Sequence, residues 1–125
     1  MMTRLVKQAD AKRLELTGRT AIEMVSGEIG SRVTFRIVEI PAQKPGETLR
    51  GPHLHHGYEE CIYVLKGEGR TLSERGELAI GSGDVVLVPA EEKHVTRNTG
   101  KDPLVLLCFF PTPDIVGSTE NFPDF

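Results

Sequence analysis

Three of the four histidines of this 125-residue chain lie within four positions, and a glutamate follows them closely. In an extended strand, residues two apart point to the same side, so His53 and His55 project together with rings close enough to share one metal ion. Glu60 follows a bend that contains Gly57, and its carboxylate can return to the same cavity. Imidazole nitrogens and a carboxylate oxygen suit Fe(II), Mn(II), Zn(II), Ni(II) or Cu(II). The spacing therefore indicates a candidate site for one divalent metal ion.

The fourth histidine, His94, lies in the segment Pro89-Ala-Glu-Glu-Lys-His94, shortly after a predicted buried strand. It would complete a set of three histidines and one glutamate if its strand neighbours the first in space. A His-x-His pair by itself also fits surface or hydrogen-bonded histidines, and that alternative stays open at this point. No other spacing competes, because the chain has no C-x-x-C pair, no H-E-x-x-H motif, no phosphate-binding loop and no nucleophile elbow.

The elements that must position these residues are short strands. Turns rich in glycine, proline and asparagine recur at short intervals and separate segments of Val, Ile, Leu, Phe and Thr, which is typical of an antiparallel sandwich or closed barrel. Helical patterning is weak and confined to residues 9–16. The sequence therefore predicts an all-β protein. The predicted strands are residues 19–25, 32–40, 60–66, 70–73, 77–80, 84–89, 93–98 and 104–110.

The length predicts one domain, residues 1–125, with a barrel core at about 19–110. The tail 111–125 contains three prolines and no strand pattern. We expect it either to form an arm that packs on its own or a neighbour's surface, or to fray.

Charge and hydropathy limit the kinds of partner that the protein can bind. The net charge of −3 and the absence of a basic stripe argue against nucleic acid. No apolar run approaches the roughly 18 to 20 residues of a membrane span. Cys61 and Cys108 lie inside apolar runs, as reduced thiols do. With no apolar signal segment near the N-terminus, we expect a cytoplasmic protein.

At these residues the chain resembles the cupin superfamily. The first cupin motif is approximately G-x5-H-x-H-x(3,4)-E-x6-G. Here His53 and His55 are followed by four residues, then Glu60, six residues and Gly67. The leading glycine would be Gly46, one position further away than the pattern asks.

The second cupin motif is G-x5-P-x-G-x2-H-x3-N. Gly83, Pro89, His94 and Asn98 fall in place, and Glu91 stands where the motif has its second glycine. Glutamate is less free than glycine to take a positive φ, so this substitution concerns the turn and no metal ligand. Together the motifs cover about residues 46–98.

The resemblance implies an antiparallel jelly-roll β-barrel with one divalent metal ion at its mouth. By motif position the ligands would be His53, His55, Glu60 and His94, which would leave about two positions on a six-coordinate ion open for substrate, water or dioxygen. His56 is not a motif ligand, and exposure is its expected role. Candidates for lining the cavity from flanking strands are Arg36, which would suit a carboxylate-bearing substrate, and Cys108.

Cupins host many activities, so the resemblance leaves the reaction open. We expect a metal-dependent enzyme that acts on a small oxygen-rich molecule, with dioxygenase chemistry favoured over isomerase, decarboxylase or lyase chemistry. No general base is clearly placed, although Tyr58, Tyr63 and Glu47 remain candidates. The alternatives are a non-catalytic protein that senses or stores a small ligand, and a metal-free structural barrel. As in other small cupins, we expect a homodimer formed through strands at one edge.

Overall fold

The computed structural model describes residues 2–125, which contain eleven β-strands, two 3-10 turns and no α-helix. All eight predicted strands are present. Three further strands lie at residues 12–16, 53–55 and 119–121. The bounds are β1 Lys12–Leu16, β2 Arg19–Val25, β3 Thr34–Ile40, β4 His53–His55, β5 Glu60–Lys66, β6 Glu68–Ser73, β7 Gly76–Gly81, β8 Val85–Val88, β9 His94–Asn98, β10 Leu104–Phe110 and β11 Thr119–Asn121.

The strands form two sheets in which every pairing is antiparallel. One sheet has six strands in the order β1-β2-β3-β10-β5-β8, and the other has five in the order β11-β4-β9-β6-β7. Neighbours in each sheet are mostly distant in sequence, as expected of a jelly roll. The all-β jelly-roll barrel predicted from the sequence is confirmed.

Alternation along the strands places the core between the sheets. In β10 the side chains of Leu104, Leu106, Cys108 and Phe110 are buried, and the intervening ones face outward. Strands β3, β5 and β8 send Val38, Ile40, Ile62, Val64, Val86 and Val88 into the same core. Burial of side chains of this size stabilises the fold by about 1.5–3 kcal/mol each.

The two chain ends join the sheets instead of leaving them. Residues 9–16, for which the sequence allowed a helix, form a 3-10 turn at Gln8–Asp10 followed by edge strand β1. In the tail, β11 pairs with β4, and Ile115 is buried in the core cluster. None of the residues 2–125 forms a helix long and apolar enough to cross a membrane.

Candidate metal centre and cavity

The five-stranded sheet brings two of the predicted ligand segments side by side. His53 of β4 pairs directly with His94 of β9, and their ring centroids are 4.4 Å apart. His55 lies two residues further along β4, on the same side, with its ring 5.4 Å from that of His94. The six-stranded sheet supplies Glu60, the first residue of β5. One potential ligand atom from each of the four residues lies within 4.8 Å of the others.

Two of the imidazoles have a defined tautomer in their neutral form. The hydroxyl of Thr119 donates to the carbonyl of Ile115, so its oxygen accepts from Nδ1 of His55 at 2.9 Å. Nδ1 of His94 donates to the carbonyl oxygen of Glu92 at 3.0 Å. A neutral imidazole carries one ring proton, so both Nε2 atoms are left with a free lone pair.

Both free lone pairs face the same carboxylate oxygen. Oε1 of Glu60 lies 3.2 Å from Nε2 of His55 and 3.2 Å from Nε2 of His94. Within residues 2–125, Nε2 of His55 is the buried side-chain nitrogen or oxygen that lacks a hydrogen-bond partner. Three electron-rich atoms therefore converge with no proton between them. A single proton would satisfy one pair, whereas a metal ion satisfies all three.

The protonation states suit a cation. Burial, reinforced by the neighbouring His94, lowers the pKa of His53 to about 2, so its ring is neutral at pH 7. Burial alone would raise the pKa of Glu60, but hydrogen bonds from His55 and His94, in the forms in which Nε2 of these rings carries a proton, outweigh burial and lower that pKa to about 2. Neutral imidazoles and an ionised carboxylate are the forms in which these groups bind metal ions. The residues present thus fit a divalent ion.

The four residues open into a cavity of about 250 Å³ between the sheets. Its apolar wall comes mostly from the six-stranded sheet, through Leu16, Val38, Ile40, Ile62, Leu106 and Phe110. The tail contributes Ile115, Val116, Thr119 and Asn121. A cavity of this size, apolar with a few convergent polar groups, suits a small organic ligand.

The other residues singled out in the sequence fall into two groups. Arg36 and Cys108 line the cavity, as expected. Burial, with the nearby charge of Glu60, raises the pKa of Cys108 well above its usual value, so the thiol stays protonated. The candidate general bases lie outside the cavity.

None of the three candidate bases is placed for proton transfer in the cavity. The hydroxyl of Tyr58 is 2.7 Å from that of Ser118 and its ring packs near Phe110. Tyr63 is exposed on the outer side of β5. Glu47 accepts from the backbone of Lys44 in an exposed loop.

His56 is exposed and takes no part in the cavity. Its ring lies between two carboxylates, with Nδ1 3.2 Å from Glu91 and Nε2 2.9 Å from Glu120. Hydrogen bonding to Glu120 first, and then to Glu91, raises the pKa of His56. Glu91, which replaces the motif glycine, does adopt the left-handed conformation with φ 65°. The backbone nitrogen of Glu91 donates to the carbonyl of His55, and its carboxylate accepts from the nitrogen of Gly57. These two hydrogen bonds hold the turn in the conformation that the motif glycine would adopt.

Sequence reasoning missed several residues that shape the site. Arg19, Arg50 and Thr119 line the cavity but belong to no motif. Gly51 is a further case, since a Cβ there would lie 2.0 Å from the carbonyl oxygen of Phe122. Only glycine allows the tail to pass this close to the strand that carries His53 and His55.

Comparison with known proteins gives several cupin-fold neighbours. Over 63 residues the chain is 36% identical to the oxalate-binding protein of Thermotoga maritima, a match that spans 50% of this chain and 51% of that protein. The structure is similar to an oxalate decarboxylase of Lactobacillus farciminis in a formate complex, with 22% identity, a TM-score of 0.76 and coverage of 91% of this chain and 34% of that one.

Two smaller proteins match over most of their length. One is the Streptomyces nucleoside dehydratase Pac13 with uridine, at 12% identity and a TM-score of 0.78, with coverage of 98% of this chain and 93% of that one. The other is the polyketide cyclase RemF of Streptomyces resistomycificus, at 21% identity and a TM-score of 0.77, with coverage of 96% of this chain and 85% of that one. At these identities the structural likeness establishes the fold. The chain spans about half the length of the curated relative and about a third of the decarboxylase.

The sequence model of the cupin domain family matches residues 42–110, which is more than half of the chain and includes both motifs. The match agrees with the two antiparallel sheets and with the grouping of three histidines and a glutamate in the lining of the cavity. This protein therefore belongs to the cupin family.

Proposed function

We propose that the chain holds one divalent metal ion through His53, His55, Glu60 and His94, and that it uses this ion to bind and transform a small oxygen-rich organic molecule. The observation that carries the proposal is the convergence of two free Nε2 lone pairs on the ionised carboxylate of Glu60. Fe(II), Mn(II), Zn(II), Ni(II) and Cu(II) all accept such a donor set.

The bound ion would supply Lewis acidity to a coordinated oxygen or a binding position for dioxygen. The chain's own residues would hold the ligand in place and keep water out with the apolar wall. Apart from the four donors, the titratable side chains lining the cavity are Arg19, Arg36, Arg50 and Cys108. None of these is an ordinary proton shuttle, which favours dioxygenase or decarboxylase chemistry at the ion over isomerase chemistry.

A non-catalytic role is the second candidate. The similarity to an oxalate-binding protein and the lack of an acid–base pair beside the donors favour a protein that binds a small organic acid without turnover. Metal-loaded protein incubated with small organic acids separates the two roles. Oxygen uptake, carbon dioxide release or a new product peak supports the enzyme, and stoichiometric binding with none of these supports the binder.

The metal assignment is tested by elemental analysis of untagged protein purified without chelator. We expect close to one equivalent of metal per chain. Replacement of His53, His55 or His94 by alanine should lower affinity at least tenfold, about 1.4 kcal/mol. His56→Ala is the matched control and should leave occupancy intact, because His56 points away from the cavity. No bound metal after reconstitution with each of the five ions, or loss of metal from His56→Ala but not from His53→Ala, would overturn the assignment.

We also propose that residues 1–125 work as one cupin domain that forms a homodimer. Edge strand β8 and its neighbours carry exposed apolar side chains on the outer face of the six-stranded sheet: Tyr63, Leu65, Val85, Leu87 and Phe109. Exposed apolar side chains grouped in this way suit a self-complementary partner. Light scattering should give about twice the 13.8 kDa chain mass. Leu87→Asp should give the monomer, whereas a wild-type mass of 13.8 kDa would contradict the dimer.

A further inference from the structure

Three arginines line the cavity, and only one of them is neutralised. Nε and Nη2 of Arg36 donate to Oε1 of Glu23 at 3.0 and 2.9 Å, and both side chains of this pair are largely buried. The charge of Arg36, which the sequence suggested as a substrate anchor, is thus already compensated inside the protein. Arg36 is therefore less suited to hold an anionic ligand than its two neighbours.

Arg19 and Arg50 have no such partner. Arg19, the first residue of β2, donates from Nη1 to the carbonyl of Thr17 at 2.9 Å. Arg50, three residues before the first histidine of β4, donates from Nη2 to the carbonyl of Thr96 at 3.4 Å. Within residues 2–125 no carboxylate oxygen comes within 4.0 Å of either guanidinium. Each guanidinium has five N–H groups, so most of their donors are unused.

The charges around the cavity do not balance. Arg19 and Arg50 bring two positive charges, Glu60 brings one negative charge, and Arg36 and Glu23 cancel. One positive charge remains before any metal ion binds, and a divalent ion would add two more. A half-buried cavity with this excess strongly favours an anionic ligand that carries more than one negative charge.

The environment of Arg50 points the same way. Burial, followed by repulsion from Arg19 and Arg97, lowers the pKa of Arg50 to about 9. Burial likewise lowers the pKa of Arg19, with a contribution from Arg36. Both groups stay protonated at pH 7, but their charged forms are held at a cost. A bound anion would remove that cost.

We propose that Arg19 and Arg50 form a second binding subsite in the cavity, and that the ligand is a compact dicarboxylate with one carboxylate at the metal ion and the other on the arginine pair. This inference rests on the proposed metal-dependent function. A guanidinium presents paired N–H groups that match the two oxygens of a carboxylate. The apolar wall around Val38, Ile62 and Leu106 suits a short carbon skeleton between the two ends. The volume of about 250 Å³ excludes large ligands.

The test compares dicarboxylates with monocarboxylates of the same carbon skeleton by isothermal titration calorimetry on metal-loaded protein. The pairs are malonate with propionate and succinate with butyrate. Wild-type protein should bind at least one dicarboxylate ten times or more tightly than its matched monocarboxylate. Arg19→Gln and Arg50→Gln should each reduce that preference to less than threefold.

Arg97→Gln is the control, because the charge of Arg97 repels that of Arg50 but the side chain does not line the cavity. It should keep the dicarboxylate preference. Elemental analysis of all three variants should give the wild-type metal content, which separates loss of the arginine subsite from loss of the metal site. A second experiment uses protein from which a chelator has removed the metal. Succinate or malonate should still raise the melting temperature of this protein, and Arg19→Gln should abolish that rise.

The outcomes distinguish the two proposals. Arginine-dependent dicarboxylate binding by a protein that never holds metal would sustain the subsite and overturn the metal-dependent function. Equal affinity for dicarboxylate and monocarboxylate, a preference that survives both arginine variants, or tighter binding of inorganic phosphate than of every dicarboxylate would overturn the subsite. Tighter binding of oxalate than of both malonate and succinate would overturn the part of the inference that places a carbon skeleton on the apolar wall.

Discussion

Two regions that line one cavity carry groups of opposite charge. The donor cluster, His53, His55, Glu60 and His94, presents lone pairs and one negative charge with no cation between them. The arginine pair, Arg19 and Arg50, presents two positive charges with no anion within reach. In the donor cluster Nε2 of His55 is buried without a hydrogen-bond partner, although buried polar groups in proteins are generally paired. In the arginine pair each guanidinium donates to one backbone carbonyl and has no carboxylate partner in residues 2–125. The difference in sign indicates that one region suits a cation and the other an anion, and a metal ion with a carboxylate ligand would supply both.

The largest expected effect is stabilisation by metal. Free metal at a hundred times its dissociation constant should raise the free energy of unfolding by about 2.7 kcal/mol. For a chain of this length that corresponds to a rise in melting temperature of about 10 °C, measured by calorimetry with and without metal. At the same free metal concentration His53→Ala should reduce the rise by about half or more, because loss of one donor lowers the affinity at least tenfold. An unchanged rise in this variant would show that the donor cluster is not the cation site.

An intermediate effect is expected from Thr119, which orients a donor without belonging to the cluster. Thr119→Val removes the oxygen that accepts from Nδ1 of His55. Loss of such an orienting partner lowers metal affinity about 10- to 100-fold. Thr119→Ser keeps the hydroxyl and should restore affinity to within about threefold of wild type in a competition titration with a metal chelator. Equal affinity in the valine and serine variants would mean that the hydroxyl does not set the tautomer of His55.

The smallest effect concerns the arginine pair in metal-free, ligand-free protein. Arg50→Gln removes a half-buried charge that Arg19 and Arg97 repel, so it should raise the free energy of unfolding by about 0.5–1 kcal/mol even though it loses a long hydrogen bond. Urea denaturation of chelator-treated protein measures this. Arg75→Gln is the matched control, because it removes the same charge from a side chain that is 89% exposed. It should change the free energy of unfolding by less than about 0.5 kcal/mol. A destabilised Arg50→Gln would mean that the charge is compensated inside the protein.

The donor cluster could be predicted from the sequence because its information is local. His53 and His55 share a strand face by alternation, and Glu60 and His94 fall at fixed motif distances. Long apolar segments such as β5 and β10 were predicted residue for residue, because glycine and proline residues close to both ends mark where each apolar run begins and ends.

The arginine pair could not be predicted in this way. Arg19 and Arg50 are far apart in sequence and line the same cavity only in the folded chain. Arg36 was expected to face inward and does, but its neutralisation by Glu23 depends on the register between β2 and β3. Which charge is compensated is a property of tertiary contacts, and no spacing in the sequence reports it.

The short strands at the chain ends were missed for a related reason. Strand β11 has three residues, Thr119–Asn121, in a tail with no strand pattern. Its strand conformation comes from hydrogen bonding to β4, together with the close approach at Gly51, and not from local propensity. Edge strand β1 is mostly exposed, so its alternation is faint.

The pairing of β11 with β4 also bears on how the protein is made. A chain synthesised from its N-terminus forms β11 after every other strand described here, yet β11 carries Thr119 and flanks the strand of His53 and His55. The barrel can collapse around its core before that last strand arrives, but the orientation of His55 is set only afterwards. We therefore expect a chain cut short before Ile115 to bind a metal ion more weakly, because it lacks the hydroxyl of Thr119 that orients His55.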